Sequence, residues 1–330
     1  MNAKNQMITL GVDAGNGAFK IFGEHGGQET LSQVAWNGKQ TVVSTLGLRK
    51  QKPPLRIQNE HGSFYVGAGA HDFGRPVENL DVERFNGTPE MVALFHGAMT
   101  HAIQGAGKAG AVDEPFSVII GLPQGILTND LAEATKENVS RWLRGKHAWS
   151  ADGQAYSIKV EEVRVASQAS GGLFDYLLDM DGKFIAERKK AFTGEVGIIS
   201  IGFGTVELLV VRDRAPVQKF ITSTTSGVRR LLEIVNGQQL YSLGELDIKL
   251  RNKTLDISTA LPIWEREVMS VVDHQWEKAW RRFAAVLIVG GGALLLKDLP
   301  LKFEGKGYVP DQPVHSIARG LYKMSMLRKR

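Results

Sequence analysis

The chain has 330 residues, 43% of them hydrophobic and 23% charged, which suits roughly two globular domains with sizeable cores. It has no cysteine, which excludes disulfides, thiolate zinc sites, iron–sulfur clusters and cysteine nucleophiles. The formal net charge of +5 resides in the last 14 residues, where Arg319, Lys323, Arg328, Lys329 and Arg330 meet no acid, so residues 1–316 are formally neutral. That concentration reads as a solvated basic tail. No zinc-finger spacing or aromatic-interleaved basic stripe accompanies it, so direct nucleic-acid contact is not expected.

The first residues, MNAKNQM, are polar and lack the apolar core of a signal peptide. The longest apolar run, Phe283 to Leu296, has 14 residues and three glycines, short of a membrane span. The expectation is a cytoplasmic chain with no transmembrane segment.

Ile8 to Gly23, ITLGVDAGNGAFKIFG, reads as an apolar strand, a glycine turn and a returning strand. Asp13 ends the first strand, and Lys20 follows seven residues later. TVVSTL (41–46) and the two runs of LRIQNEHGSFYVGAGA, hinged at NEHG, read as further strands. TPEMVALFHGAMTHAIQ opens a helix, with Thr88 as N-cap and Pro89 at its first position. FSVIIGLP is a buried-type strand. A helix is predicted from about Asn129 to Gly145, with Leu131, Ala134, Trp142 and Leu143 on its apolar side. YSIKVEEVRVASQ is strand-like and ASGGLFDYLLD a short helix. VGIISIGFGTVELLVVRD, a helix-rich stretch over about 226–284, the strand AVLIVGGG and a closing helix from about His315 complete the chain. Strands and helices mixed in this order predict an α/β protein.

Three local patterns carry no chemistry. GAGKAG (105–110) matches a dinucleotide fingerprint only literally, because it follows a helix and precedes a strand. Ala109 after Lys108 also spoils it as a P-loop. His96 and His101 are five apart, off ligand spacing, and read as packing or surface residues. Trp276 and Trp280 read as a core stripe.

An internal repeat decides the reading. A shift of 187 residues lays Asp13-Ala14-Gly15-Asn16-Gly17 over Ser200-Ile201-Gly202-Phe203-Gly204, with apolar strands before and after both segments. Glycine permits close backbone approach, and successive amide groups in such turns can face an anion. Two such hairpins on two halves of a chain suit a polyphosphate held from both sides.

With these residues in view, the sequence resembles the actin/Hsp70/sugar-kinase superfamily, and within it the ParM-type bacterial and archaeal actin homologues. VDAGNGAFK is similar to the first phosphate motif, IGFGTVE to the second, RVASQASGGLFDYLLD to the first connection between domains, AVLIVGGGALLL to the strand and turn beneath the nucleoside, and VPDQPVHSIARGLYKM to the second connection. The resemblance implies two duplicated actin-like (ribonuclease-H-like) domains around a nucleotide cleft. Domain I would comprise 1–167 plus 314–330, and domain II 168–313. It implies ATP or GTP with magnesium as cofactors, slow ATPase activity, and assembly into filaments for plasmid segregation or cargo positioning. The implied partners are further copies of the chain and a DNA-binding adaptor or cargo protein.

Residue by residue, the resemblance places the backbones of Gly15, Asn16, Gly17, Gly202, Phe203, Gly204 and Thr205 at the phosphates. Lys20 falls at the β/γ oxygens, and Gly290, Gly291 and Gly292 against base or ribose. Asp13 would orient magnesium-bound water and Gln168 the attacking water. One departure is marked: the family commonly has aspartate where Ser200 stands, and serine brings no charge to a magnesium shell. Glu207 fills a later acidic position. A non-polymerising scaffold or assembly ATPase homologue, or a small-molecule kinase on the same fold, are the alternatives.

Overall fold

A computed structural model describes residues 7–37, 52–77, 82–128 and 130–327. The strand expected at 41–46, the start of the helix at Asn129, the leading residues before Met7 and the last three basic residues lie outside them. Among the described residues no helix is long and apolar enough to cross a membrane.

Two sheets organise the molecule. The first begins with β1 (Ile8–Ala14), β2 (Ala18–Gly23), β3 (Gly26–Leu31), β4 (Val34–Trp36), β5 (Leu55–Asn59), β6 (Gly62–Val66) and β7 (Arg75–Val77). Helix α1 (Pro89–Gly105) leads to β8 (Phe116–Leu122), short α2 (Gln124–Leu127), α3 (Ala132–Leu143), β9 (Gly145–Ala151) and β10 (Gln154–Ser167). The order across this ten-stranded sheet is β3-β2-β1-β8-β10-β9-β5-β6-β4-β7.

Helix α4 (Gln168–Leu177) then leads into the second sheet, built from β11 (Glu195–Ile201), β12 (Val206–Arg212), β13 (Ala215–Pro216) and β14 (Thr222–Thr224). Helices α5 (Val228–Val235), α6 (Leu243–Arg251) and α7 (Leu261–Trp276) precede β15 (Ala285–Val289) and β16 (Gly307–Tyr308), and α8 (Ser316–Met326) ends the fold. The order is β13-β12-β11-β15-β16, with β14 also on β12.

The repeat is visible in the pairing. β1 is antiparallel to β2 and parallel to β8, and β11 is antiparallel to β12 and parallel to β15. Strands β8, β11 and β15 are almost wholly apolar because both of their faces are covered. One core lies under α1 and the first sheet, and another between the second sheet and α7. A third joins Ile119 of β8 to Leu173 and Leu177 of α4, Ile317 and Leu321 of α8, and Ile198 and Leu287 of the second sheet.

Helices α4 and α8 cross almost backbone to backbone. A Cβ at Gly171 would stand 2.5 Å from the Ile317 carbonyl oxygen, and one at Gly320 would overlap the Gly171 carbonyl. Beside the crossing, buried Asp175 accepts two hydrogen bonds from Arg319 (2.7 and 2.6 Å) and one from Lys323 Nζ (2.8 Å). Two cations counted as a solvated tail are therefore structural. Composition registers their charge but not the acid 144 residues away that consumes it.

Other expectations need correction. Helix α3 buries Ala132, Thr135, Val139 and Leu143, while Leu131 and Ala134 are exposed, so its apolar face is rotated from the expected one. The segment after it, unassigned from sequence, is β9, with His147, Trp149 and Ala151 buried on alternate positions. Trp276 is fully buried and Trp280 packs partly against the same core, as the stripe predicted. His96 is a packing residue, stacked on Trp149 with ring centroids 4.7 Å apart.

Candidate functional site

The two hairpins meet tip to tip. A Cβ at Gly17 would lie 2.6 Å from Phe203 Cβ, and one at Gly204 would lie 2.6 Å from Asn16 Nδ2. Gly17 is therefore demanded by the apposition of the turns, whereas a Cβ at Gly204 would meet only the far end of the Asn16 side chain.

What fits these turns for an anion is the disposal of their carbonyl groups. In the first, Arg84 Nη2 donates to the Ala14 oxygen (2.8 Å), Ser32 Oγ to the Gly15 oxygen (2.7 Å) and the Ser32 amide to the Gly17 oxygen (3.0 Å). In the second, the amides of Val228 and Arg229, at the start of α5, donate to the oxygens of Gly202 and Phe203 (3.0 and 2.7 Å). The negative ends of the turn peptides are thus fastened behind the hairpins, where they do not oppose an anion in front. Gly227 makes the second arrangement possible, since a Cβ there would lie 2.5 Å from the Phe203 oxygen. Ser32, Arg84 and Gly227 carry no motif, and sequence reasoning missed them.

Asp13, at the end of β1, is buried. Its Oδ2 accepts from Lys20 Nζ (3.0 Å) and its Oδ1 from Gln168 Nε2 (2.8 Å). Lys20 reaches it because the two residues are direct cross-strand partners. Gln168 reaches it because β10 runs parallel to β8 and hands over to α4 at that residue. Gly121 of β8 gives Gln168 room, as a Cβ there would press to 3.2 Å on its Cγ. Three residues drawn from separate parts of the sequence thus form one charged, hydrogen-bonded group.

Glu207 is the 1%-exposed carboxylate across from them. It is the cross-strand partner of Ser200, and its Oε1 accepts the Gln124 amide from the first sheet's side of the molecule (3.2 Å). Burial, and secondly the charge of Asp13, push its pKa up to about 7 against hydrogen bonds from Gln124 and Ser223. Its Oε2 has no hydrogen-bond partner. A carboxylate alone in the apolar run TVELLVV was the sequence signal for this residue.

At the third turn, Gly290 has φ +91°, and a Cβ there would lie 2.5 Å from the Ile201 oxygen. Gly292 also packs against Ile201, so both serve the fold. Only Gly291 faces open space.

At the outer edge, Arg251 of α6 reaches Glu29 of β3 (2.8 Å) while Asp247 holds it from below (3.0 Å). Gln33 Nε2 donates to the Gly244 oxygen (3.1 Å). These contacts tie the helices of the second half to the first sheet.

A family model described as the N-terminal domain of actin-like proteins matches residues 11–171. Among solved structures, the actin-like protein Alp7A superposes with a TM-score of 0.76 at 15% identity, covering 98% of this chain and 97% of that one. The fold is actin-like. A 15-stranded ParM filament from Clostridium botulinum gives a TM-score of 0.69 at 16% identity over 98% and 99% of the chains. An archaeal actin homologue in complex with ADP gives 0.68 at 16% over 98% and 100%. At these identities the structural likeness establishes the fold. No curated protein matches the sequence.

Among the described residues of this fold, no group of three or more histidine or acidic side chains stands ready for a metal. The residues present suit a hydrated cation that arrives with a ligand: two buried carboxylates, one satisfied and one with a free oxygen.

Proposed function

We propose that this chain binds ATP or GTP with magnesium between its two hairpins, polymerises into filaments, and hydrolyses the nucleotide slowly to set filament stability. The observation that carries the reading is the pair of apposed glycine hairpins whose carbonyls are tied back by Ser32, Arg84, Val228 and Arg229. In this reading the amides of 15–17 and 202–205 hold the phosphates, and Lys20 neutralises β/γ oxygens. Magnesium, carried in with the polyphosphate, supplies charge neutralisation. Asp13 orients its water shell. Gln168 spends its amide nitrogen on Asp13, which leaves its carbonyl oxygen to accept a hydrogen bond from an attacking water and orient it. The open face at Gly291 suits base or ribose.

The domains of this reading are 1–167 plus 314–330, and 168–313. Its biological task is plasmid segregation or cargo positioning in the cytoplasm, through a DNA-binding adaptor or cargo protein. Filament assembly by structural relatives supports the self-association, and an ADP complex among them supports the nucleotide. Ser200 favours one second reading, a scaffold that binds nucleotide without brisk turnover or polymer.

Right-angle light scattering with ATP, a non-hydrolysable analogue or no nucleotide, with phosphate release followed in parallel, tests the proposal. Scattering that rises with ATP above a critical concentration and decays with phosphate release supports it. Nucleotide binding without scattering would instead support the scaffold.

A further inference from the structure

We propose that the recess at the end of α7 is a docking site for an acidic segment of a partner protein, held by Lys219, Lys278, Arg281 and Arg282. The inference goes beyond the nucleotide reading and does not depend on it.

The four cations line an open recess of about 700 Å3 between the end of α7 and the turn at 218–220, and Glu277 is the one acid among the described residues that line it. The frame of the recess is fixed. Trp276 Nε1 donates to the Phe220 oxygen (3.2 Å) and Gln275 Nε2 to the Lys219 oxygen (2.7 Å), which fastens the helix end to the turn. Aromatic rings steady three of the cations. Lys219 Nζ stands 4.7 Å from the centre of the Phe220 ring, the Arg282 guanidinium 5.7 Å from the same ring, and that of Arg281 5.6 Å from the Trp280 ring. All four side chains are nevertheless exposed. A ring contact of this kind holds the stem and leaves N–H donors facing solvent, which lowers the ordering cost of binding.

The local charge is uncompensated. Lys219 and Lys278 have no carboxylate within ion-pair distance among the described residues, Arg281 lies 3.8 Å from Glu304 with both side chains more than half exposed, and Arg282 shares Glu195 with Arg212. Lys306, which donates to the Arg281 oxygen, adds another cation. Six cations thus stand against Glu195, Glu277 and Glu304, a surplus hidden by the formal neutrality of residues 1–316. One or two would complement the C-terminal end of α7, and the rest exceed that need.

Carboxylates suit the recess better than a nucleic-acid backbone does. Its volume is that of a small-ligand site, which admits side chains, whereas a duplex lies along a basic strip of surface. Each guanidinium presents a fork of donors that a single carboxylate can accept. Glu277, standing among the cations, is easily avoided by separate acidic side chains and less easily by a continuous row of phosphates.

The test is fluorescence anisotropy of a fluorescein-labelled oligoglutamate peptide titrated with the full chain in low salt, without nucleotide, so that polymerisation plays no part. A labelled DNA duplex is titrated in parallel. We expect the peptide to bind, and to bind more weakly as salt rises. Lys219→Gln/Lys278→Gln should weaken it about tenfold, and Glu277→Gln should strengthen it about twofold, a gain that misfolding cannot mimic. The control Lys108→Gln/Lys159→Gln loses the same charge from exposed ion pairs on the first half of the molecule and should bind as the unmodified chain does. No peptide binding, equal weakening by the two double variants, or tighter binding of the duplex through the same lysines overturns the proposal.

Discussion

Replacing Gly320 by alanine tests how the two halves are joined. The new Cβ would overlap the Gly171 oxygen and stand 2.7 Å from the Asp175 nitrogen, where contact needs roughly 3.5 Å. Relieving the tighter of these contacts, the overlap with the Gly171 oxygen, requires helices α4 and α8 to separate by roughly 1.5 Å. Overpacking of this kind costs typically about 1–3 kcal/mol. The same displacement stretches the hydrogen bonds from Arg319 and Lys323 to Asp175, now 2.6–2.8 Å, beyond useful length. Asp175 is buried, and stripping a buried charge of its partners costs about 3–5 kcal/mol when complete. Partial loss added to overpacking gives about 3–5 kcal/mol, read from urea unfolding followed by tryptophan fluorescence. A loss below about 1 kcal/mol would mean that the crossing has slack and that the backbone contact is not the joint described here.

Gly291→Ala is the matched control: its Cβ meets nothing within 4 Å, so stability should stay within about 0.5 kcal/mol. If base or ribose lies there, nucleotide affinity should nevertheless fall, as a fluorescent-analogue titration would register. His96 has its pKa lowered to about 3 by burial and then by the charges of His147 and His61. Its contribution to stability is present above the unfolded value near 6.5 and is lost as pH falls from there toward 3, at about 1.4 kcal/mol per pH unit. Between pH 7.5 and 5 the unmodified protein should lose about 2 kcal/mol more than His96→Gln; parallel losses would refute the burial argument. Glu29→Gln removes the contact with Arg251, which is partly exposed and thus worth about 0.5–1 kcal/mol. Nucleotide release in a chase experiment should quicken about two- to fivefold, with the difference shrinking in high salt. An unchanged rate would place the rate-limiting opening elsewhere.

The parts legible in the sequence were those whose physics is local. Glycine turns between apolar strands announced both hairpins, and their common spacing announced the repeat. Period-two alternation was equally present in β9, at His147, Trp149 and Ala151, but a helix carried on to Gly145 concealed where it began. The face of α3 was misplaced because Leu131 and Ala134 satisfied a helical spacing as well as the truly buried Thr135 and Val139 did. Least legible were the groups behind the turns. Ser32 and Arg84 lie 17 and 70 residues from the carbonyls they secure, and no short-range pattern identifies such a partner. The bond from Gln168 to Asp13 spans 155 residues, and resemblance brought the two residues together where spacing could not.

The crossing of α4 and α8 has a mechanical consequence. Helices normally interlock ridge into groove, which fixes their angle and resists turning. Where Gly171 meets Gly320 there are no side chains to mesh, so the contact behaves as a smooth bearing. Asp175, gripped by two long and flexible cations close by, acts as a tether. A joint of this kind should turn more readily than it pulls apart, with the packed side chains of Leu173, Leu177, Ile317 and Leu321 beside it limiting how far.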